Sequence, residues 1–247
     1  MSTQGDHLPA SSTAATTNID PSTTASQDAS GRQPSAASSA AAQLAGAKIE
    51  LRANLRQFPD FPIPGIDFVD IMPLFANPSA HATLMSALEL QIAEAFPGSR
   101  PDVIVGLDAR GFLFGPGLAL KLGVGFAAVR KQGKLPGPCV TAEYVKEYGK
   151  DLFQMQEDAI KEGQKVLIVD DIIATGKIFC ILRREENFFP RTVRSNKFPG
   201  GSAKAAADLV HQLKGQVVGF MFILEIPGLN GRDKLGGAPT SILIEDA

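Results

Sequence analysis

The feature that most constrains this chain is the run 165–176, Lys-Val-Leu-Ile-Val-Asp-Asp-Ile-Ile-Ala-Thr-Gly. Residues 166–169 are apolar and rich in β-branched side chains, a pattern typical of a buried strand in a parallel sheet. Asp170 and Asp171 follow at the expected end of that strand, and the small residues 174–176 then form a turn. Unpaired backbone N–H groups and a helix dipole converge at such a turn when a helix follows it. The run therefore predicts a phosphate site at the tip of a central strand.

The helix that this arrangement requires is predicted at 203–213, after a segment that differs from its surroundings. Residues 177–200 hold six Lys and Arg against two Glu, whereas the whole chain has a net charge of −2. Its two ends can be encoded by splice-donor and splice-acceptor sequences. We therefore predict a retained intron or gene-model error, with a genuine lineage-specific insertion as the alternative. Loop amides must converge on one phosphate, so we expect the chain as written to be weakly active or inactive.

Without 177–200, the loop would read Ala-Thr-Gly-Gly-Ser. Together with the apolar strand and Asp-Asp, it resembles the phosphoribosyl-diphosphate motif of the type I phosphoribosyltransferases. In that family the loop holds the 5′-phosphate and the acidic pair holds the ribose hydroxyls. The resemblance implies that the donor is bound by Asp170, Asp171, Ala174, Thr175, Gly176, Gly201 and Ser202.

A proline-rich stretch lies near the start of the folded region, at 58–68. Its three prolines and one glycine enforce a stiff path with turns, so propensity alone predicts a rigid connector. The pattern Phe-Pro-Asp-Phe-Pro-Ile-Pro-Gly is similar to the hood that covers the base in adenine phosphoribosyltransferases. That likeness implies that the backbone of Asp67 and the ring of Phe68 contact adenine, since amide edges and aromatic faces suit a purine.

A second strand, 103–105, leads into Gly-Leu-Asp-Ala-Arg-Gly-Phe at 106–112 and a helix at 114–122. This places Arg110 at the carboxyl edge of the sheet, where ligands of open α/β sheets bind. A structural ion pair explains a lone arginine equally well. The motif matches the pyrophosphate loop of the family, which implies that Arg110 lies near pyrophosphate or the base.

A third strand, 125–129, is followed by three cations within five residues. Arg130, Lys131 and Lys134 are consistent with a solvated surface loop. Because they follow a buried strand, they also suit a doubly charged leaving group, which charge-assisted hydrogen bonds hold well. The block resembles that of the adenine enzymes, which implies a pyrophosphate contact.

Residues 141–152 are polar and aromatic without clear burial, which predicts a mobile hairpin. A lid is a reasonable role, because a reactive sugar must be shielded from water. In the family this loop closes over the site, and the glutamate of Glu-Tyr-Gly-Lys is the proton-transfer candidate. That implies a catalytic role for Glu147, with Tyr148 beside it in the lid.

Strand and helix patterns alternate along the rest of the chain, with further strands at 217–224 and 242–244. This predicts an α/β fold with a parallel sheet flanked by helices, a small N-terminal hood and a flexible lid. Residues 1–46 contain hardly any large apolar side chains, so we expect a disordered low-complexity tail. A transit peptide is the lesser option, because only one arginine is present. The phosphoribosyltransferase domain is then 47–247, interrupted by 177–200.

Composition narrows the class of protein further. Two cysteines cannot build a disulfide framework, and neither has metal-ligand spacing with another cysteine or histidine. No apolar run approaches the roughly 18 residues of a membrane span. We therefore expect a soluble, cytoplasmic protein that binds neither membrane nor nucleic acid.

The resemblance implies a specific reaction, the transfer of the 5-phosphoribosyl group from phosphoribosyl diphosphate to adenine, which gives AMP and pyrophosphate. Mg²⁺ would be held through the substrate, without direct protein ligands, and relatives are commonly homodimers. Two alternatives stay open: an enzyme for another purine base, and a non-catalytic nucleotide-binding form caused by the split phosphate loop.

Overall fold

A seven-stranded sheet carries the fold in the computed structural model, which describes residues 36–61, 68–146, 149–173, 201–225, 235 and 237–245. The described elements in chain order are α1 (Ala36–Ala53), β1 (Arg56–Phe58), β2 (Phe68–Asp70), α2 (Met72–Ala76), α3 (Pro78–Ala95), β3 (Val103–Leu107), α4 (Gly111–Leu122), β4 (Gly125–Lys131), β5 (Cys139–Lys146), β6 (Gly149–Gln156), β7 (Lys165–Ile173), α5 (Gly201–Gln212), β8 (Gln216–Glu225) and β9 (Thr240–Ile244).

The strand order in this sheet is β5-β6-β4-β3-β7-β8-β9. Five strands pair in parallel, in the sheet order β4, β3, β7, β8 and β9. Strands β5 and β6 form an antiparallel hairpin that joins the sheet through β4. The predicted parallel sheet flanked by helices is therefore confirmed, with an antiparallel hairpin added at one edge. The predicted hairpin at 141–152 is confirmed as well, and the strand predicted at 242–244 is the far edge strand.

The two central strands are buried because helices cover both faces of the sheet. Alternate side chains of β7 enter different core clusters, as the two-residue period of a strand requires. Leu167 and Val169 pack with α1, α3 and α4, whereas Val166 and Ile168 pack with α5. Unbroken apolar strands such as β3 and β7 are typical of this two-sided burial.

The first helix begins earlier than the sequence suggested. Helix α1 starts at Ala36, so the predicted boundary at 47 falls inside it. Its sequence is rich in alanine, which has the highest helix propensity, and Leu44 and Leu51 are buried on one face against the core. The tail predicted over 1–46 otherwise falls at 1–35, outside the described residues.

The hood stretch contains more regular structure than a connector. Strands β1 and β2 form an antiparallel ribbon in which Arg56 pairs with Asp70 and Phe58 pairs with Phe68. The short helix α2 follows directly. The sequence analysis missed this ribbon because three-residue strands show too little alternation to be recognised.

The lengths and composition of the described helices bear on membrane insertion. Among the helices at 36–53, 72–76, 78–95, 111–122 and 201–212, none is both long enough and apolar enough to cross a bilayer.

Candidate active site

Three neighbouring parallel strands end at the same edge of the sheet. Val105 of β3 lies beside Ala127 of β4 on one side and Ile168 of β7 on the other. The chain therefore leaves β3, β4 and β7 at one edge, the carboxyl edge where open α/β sheets bind ligands. The predicted arginine loop follows β3, and the predicted acidic pair is near the end of β7. Arg130 and Lys131 are the last two residues of β4, so only Lys134 of the three predicted cations follows that strand.

The acidic pair lies inside β7 rather than after it, because this strand continues to Ile173. The Asp171 side chain is buried, and Asp170, on the opposite face of the strand, is half-buried. The backbone N–H of Asp171 donates to Asp170 Oδ1 at 3.0 Å. The two carboxylates thus occupy fixed positions at the sheet edge.

Arg110 reaches the acidic pair from the amino end of α4. Its Nε lies 2.7 Å from Asp171 Oδ2, while about half of the arginine side chain stays exposed. The N–H direction does not meet hydrogen-bond geometry, and Asp171 Oδ2 has no hydrogen-bond donor within the described ranges. Charge attraction therefore holds Arg110 beside a carboxylate oxygen that retains capacity for another partner.

Burial and neighbouring charges shift the proton affinities of this pair. Burial and then the negative charge of Asp171 raise the pKa of Asp170 well above its ordinary value. Burial also raises the pKa of Asp171, and the positive charge of Arg110 opposes that rise. Ligand groups that donate hydrogen bonds or carry positive charge would favour the ionised forms.

A glycine allows α4 to approach the acidic strand this closely. A Cβ atom at Gly111 would lie 2.8 Å from the Val169 carbonyl oxygen, closer than real Cβ atoms come. The amino end of α4 therefore contacts β7 directly in front of Asp170. This contact brings the loop of Arg110 and the acidic pair to one place.

The basic loop is fixed by a carboxylate from the neighbouring loop. Arg130 Nε donates to Asp108 Oδ2 at 2.8 Å, and its Nη1 donates to the Lys134 carbonyl at 3.1 Å. The Gly133 N–H donates to Gln154 Oε1 at 2.9 Å. The Asp108–Ala109 peptide bond is cis. The contact between Arg130 and Asp108 joins the arginine loop to the basic loop at the sheet edge.

The hood contributes an aromatic group. The rings of Phe61 and Phe68 lie 5.4 Å apart in an edge-to-face arrangement, and Phe58 lies 6.4 Å from Phe61. Phe68 is partly buried. Its predicted partner at the base, Asp67, lies outside the described residues.

The predicted phosphate loop and lid fall only partly within the described residues. Gly201 and Ser202 are the first residues of α5. The remaining phosphate-loop positions, Ala174, Thr175 and Gly176, fall outside the described residues, as does the whole segment 177–200. The same holds for Glu147 and Tyr148, which follow β5 and precede β6.

Sequence reasoning missed three charged residues that the structure places in this region. Asp108 pairs with Arg130, and Arg56 pairs with Asp70. Burial alone would raise the pKa of Asp70, but the Met72 amide and the charges of Arg56 and Arg110 together lower it. Opposite charges at the two ends of the hood stretch were the available signal for the Arg56–Asp70 pair.

The arrangement of potential metal ligands bears on the role of the acidic pair. No group of three or more His, Cys, Asp and Glu side chains with metal-binding geometry occurs in the described part of the chain. Asp170 and Asp171 supply carboxylate oxygens, which are suitable ligands for Mg²⁺, and Asp171 Oδ2 is not used by a hydrogen bond from a described residue.

Known proteins share both the sequence and the fold. A family described as "Phosphoribosyl transferase domain" matches residues 77–194. An adenine phosphoribosyltransferase of Yarrowia lipolytica is 54% identical over 186 residues, which cover 75% of this chain and 89% of the relative. The enzyme of that name from Mus musculus is 43% identical over 192 residues, covering 78% of this chain and 93% of the relative.

A solved structure gives the same result. The adenine phosphoribosyltransferase from Saccharomyces cerevisiae, crystallised with an imino-altritol bisphosphate and adenine, superposes with a TM-score of 0.68 at 46% identity. The match covers 81% of this chain and 99% of the yeast chain. Both the acidic-pair strand and the surrounding sheet thus have counterparts of known family, and this chain belongs to the adenine phosphoribosyltransferases.

Proposed function

We propose that the chain transfers the 5-phosphoribosyl group from phosphoribosyl diphosphate to adenine, giving AMP and pyrophosphate in purine salvage. The observation that carries this proposal is the contact of Arg110 with a buried aspartate at the carboxyl edge of the sheet. A cation and two carboxylates meet there, as a sugar diphosphate requires. The names of the relatives supply the base.

The donor sugar would be held by the acidic pair. Asp170 and Asp171 would accept hydrogen bonds from the ribose hydroxyls, and ionisation of both is favoured when such donors arrive. The 5′-phosphate would bind backbone amides of 174–176 together with Gly201 and Ser202. The amino end of α5 adds a helix dipole that favours this anion.

The pyrophosphate would leave toward the basic side of the edge. Arg110, Arg130, Lys131 and Lys134 are the groups that we propose to stabilise the charge that develops on the leaving group. The Arg130–Asp108 pair supports this role, because it fixes the direction of the arginine before a ligand binds. Positioned charges lower the barrier without reorganisation during the reaction.

Magnesium is expected to enter with the donor. The acidic pair would lie near the ion, and the diphosphate oxygens would be its main ligands, which agrees with the preference of Mg²⁺ for oxygen and water. When bound, the ion would supply positive charge beside the leaving group. Asp170 and Asp171 would orient the sugar.

The base would lie under the hood. The Phe68 ring would stack on adenine, and the backbone of Asp67 would read its hydrogen-bonding edge. Glu147 would hold or release a purine proton as the base attacks the anomeric carbon, which develops oxocarbenium character. Tyr148 would close the lid beside it.

We further propose a homodimer in the cytoplasm. Helix α4 supports the first part, because Leu113 and Leu120 lie on one exposed face and the Leu120 side chain is 84% exposed. Exposed apolar faces of this kind are typical of protein contacts. Size-exclusion chromatography with light scattering measures this state directly.

The direct test of the activity is an assay of AMP formation by the full chain with phosphoribosyl diphosphate and Mg²⁺. Adenine should be converted, slowly in the full chain and faster once 177–200 is deleted, whereas hypoxanthine and xanthine should not. Faster conversion of either of the latter would assign another purine base. AMP binding without any turnover would instead support the nucleotide-binding form that the split loop allows.

A further inference from the structure

A buried carboxylate outside the acidic pair has no part in the proposed reaction. Asp70 is only 8% exposed and closes strand β2 in the hood. A buried charge requires compensation, so its partners show what it does. Asp70 Oδ2 accepts from Arg56 Nε at 3.1 Å and from Arg56 Nη2 at 2.5 Å, and its Oδ1 accepts from the Met72 N–H at 2.9 Å.

The ribbon that carries Asp70 is too small to be stable by itself. Strand β1 pairs with β2 over three residue pairs, and all three β1 residues are exposed. Isolated two-stranded ribbons are marginally stable in water, and burial of β1 contributes little here. The cross-strand Arg56–Asp70 pair is therefore a main attachment of β1 to the folded chain. A guanidinium held by one carboxylate oxygen with two N–H groups has a defined direction.

The same arginine also contacts the aromatic cluster of the hood. Its guanidinium carbon lies 5.1 Å from the centroid of the Phe58 ring. Phe58 then contacts Phe61, and Phe61 contacts Phe68. In the ribbon register, Phe58 also lies opposite Phe68. The Arg56–Asp70 pair thus fixes the strand and the ring that stand beside the proposed base site.

We propose that Asp70 and Arg56 are positioning residues for the purine: their ion pair holds the ribbon so that the Phe68 ring keeps its place against the base. This inference rests on the proposed function, because it takes Phe68 as a base contact. Neither side chain belongs to the acidic pair or the basic loop, although the charge of Arg110 also acts on Asp70. Removing it should weaken the contribution of adenine to binding and spare the sugar phosphate.

A purely structural role for Asp70 must be distinguished from this one. Its contact with the Met72 amide stabilises the start of α2, so a large truncation could disturb the fold. Asp70→Asn keeps an oxygen for that amide and removes the charge. Arg56→Gln leaves the Met72 contact intact. Arg56→Lys keeps the positive charge but loses the planar group that donates two N–H groups to Asp70. The Arg56 side chain is 59% exposed, so both of its variants should fold.

The experiment compares two ligands by calorimetry on the full chain. AMP and ribose 5-phosphate share the sugar phosphate and differ by adenine. The Kd of ribose 5-phosphate divided by the Kd of AMP therefore measures the adenine contribution. We expect Asp70→Asn and Arg56→Gln to lower this ratio about tenfold, which corresponds to about 1.4 kcal/mol. Ribose 5-phosphate should bind within about twofold of the parent chain, and Arg56→Lys should fall between.

Glu162→Gln is the matched control. It removes an exposed ion pair with Lys214, 2.8 Å in length, and should leave both Kd values unchanged. A folded Asp70→Asn or Arg56→Gln protein with the parent ratio would overturn the inference, as would equal weakening of both ligands. If Asp70→Asn does not fold, the two Arg56 variants decide. A parent chain that binds AMP no tighter than ribose 5-phosphate would contradict the proposed adenine specificity itself.

Discussion

Two strand-to-helix connections leave the same edge of the sheet, and they differ greatly in length. Residues 108–110 join β3 to α4, whereas 174–200 separate β7 from α5. The two strands are parallel neighbours, and each helix begins with glycine. The first connection is continuous and is tied down by Asp108 and Arg110. We call them the continuous connection and the interrupted connection.

The comparison separates what the core requires from what the site requires. Beyond the interrupted connection, β7 still pairs with β8 as far as Ile173 and Glu225. Helix α5 still buries Leu209 and Val210. Packing of these elements therefore does not depend on the length of the loop, because apolar burial is non-directional. A phosphate site has the opposite character, since its amides must converge on one point.

The largest expected effect comes from deleting 177–200, which would make the two connections alike. We expect kcat/KM to rise on the order of 100-fold, since misplacement of about 1 Å can cost that much. The measurement is the AMP-forming assay on both forms. Circular dichroism should show the same secondary structure and similar thermal unfolding, because α5 and β8 are packed in either case. Equal activity of the two forms would contradict the idea that the segment disrupts the site.

Glu147→Gln tests the proposed transfer of the purine proton. If this carboxyl manages the purine proton, kcat should fall on the order of 100-fold while the Kd of phosphoribosyl diphosphate stays within about twofold. The measurement is steady-state kinetics with calorimetry on the deletion form. Glu143→Gln, an exposed carboxylate on β5, is the matched control and should retain kcat. An unaltered kcat in Glu147→Gln would reject the role.

Arg110→Gln tests the continuous connection by itself. Loss of a charge-assisted contact should weaken phosphoribosyl diphosphate binding about 10- to 100-fold. Calorimetry measures this without turnover. Arg100→Gln removes an arginine at the other end of β3, where its Nη2 donates to the Leu122 carbonyl, and should leave the affinity unchanged. Undiminished affinity in Arg110→Gln would return this residue to a structural role.

The smallest effect concerns pH and the ligand-free protein. The pKa of Asp170 is raised in the folded chain by burial and by Asp171. Such a group stabilises the fold below its ordinary value of 3.8, and this contribution is lost as the pH rises through the folded pKa. Asp170→Asn should therefore become relatively more stable than the parent as the pH rises. Urea unfolding followed by circular dichroism at several pH values measures this, and parallel pH curves for the two proteins would contradict it.

The sequence predicted those elements that have strong local signals. The structure confirms the predicted strands at 103–105, 125–129, 166–169 and 217–224. They could be predicted because each is an apolar run bounded by charge or glycine. The helix at 203–213 is confirmed with a shift of its ends, starting at Gly201. The family and its reaction type followed from motifs in five stretches of the chain: the hood, the arginine loop, the basic loop, the lid and the acidic-pair strand. These motifs are short, contiguous and specific.

The ion pairs could not be predicted, because they join residues that are distant in sequence. Arg130 lies beside Asp108 only because β3 and β4 are parallel neighbours whose ends align. Arg56 meets Asp70 only in the register of the ribbon. The burial of Asp70 could not be predicted either, since exposure depends on the elements that pack around it. The roles of the acidic pair and the basic loop remain predictions.

The contact of Gly111 with the Val169 carbonyl has a consequence for how such a site can change. The spacing between Arg110 and the aspartates that we propose to hold the sugar depends on the absence of a side chain at Gly111. Gly111→Ala would push the amino end of α4 away from β7. Arg110 would then move away from Asp170 and Asp171. The distance between the proposed sugar and pyrophosphate contacts is therefore expected to depend on a residue that has no side chain.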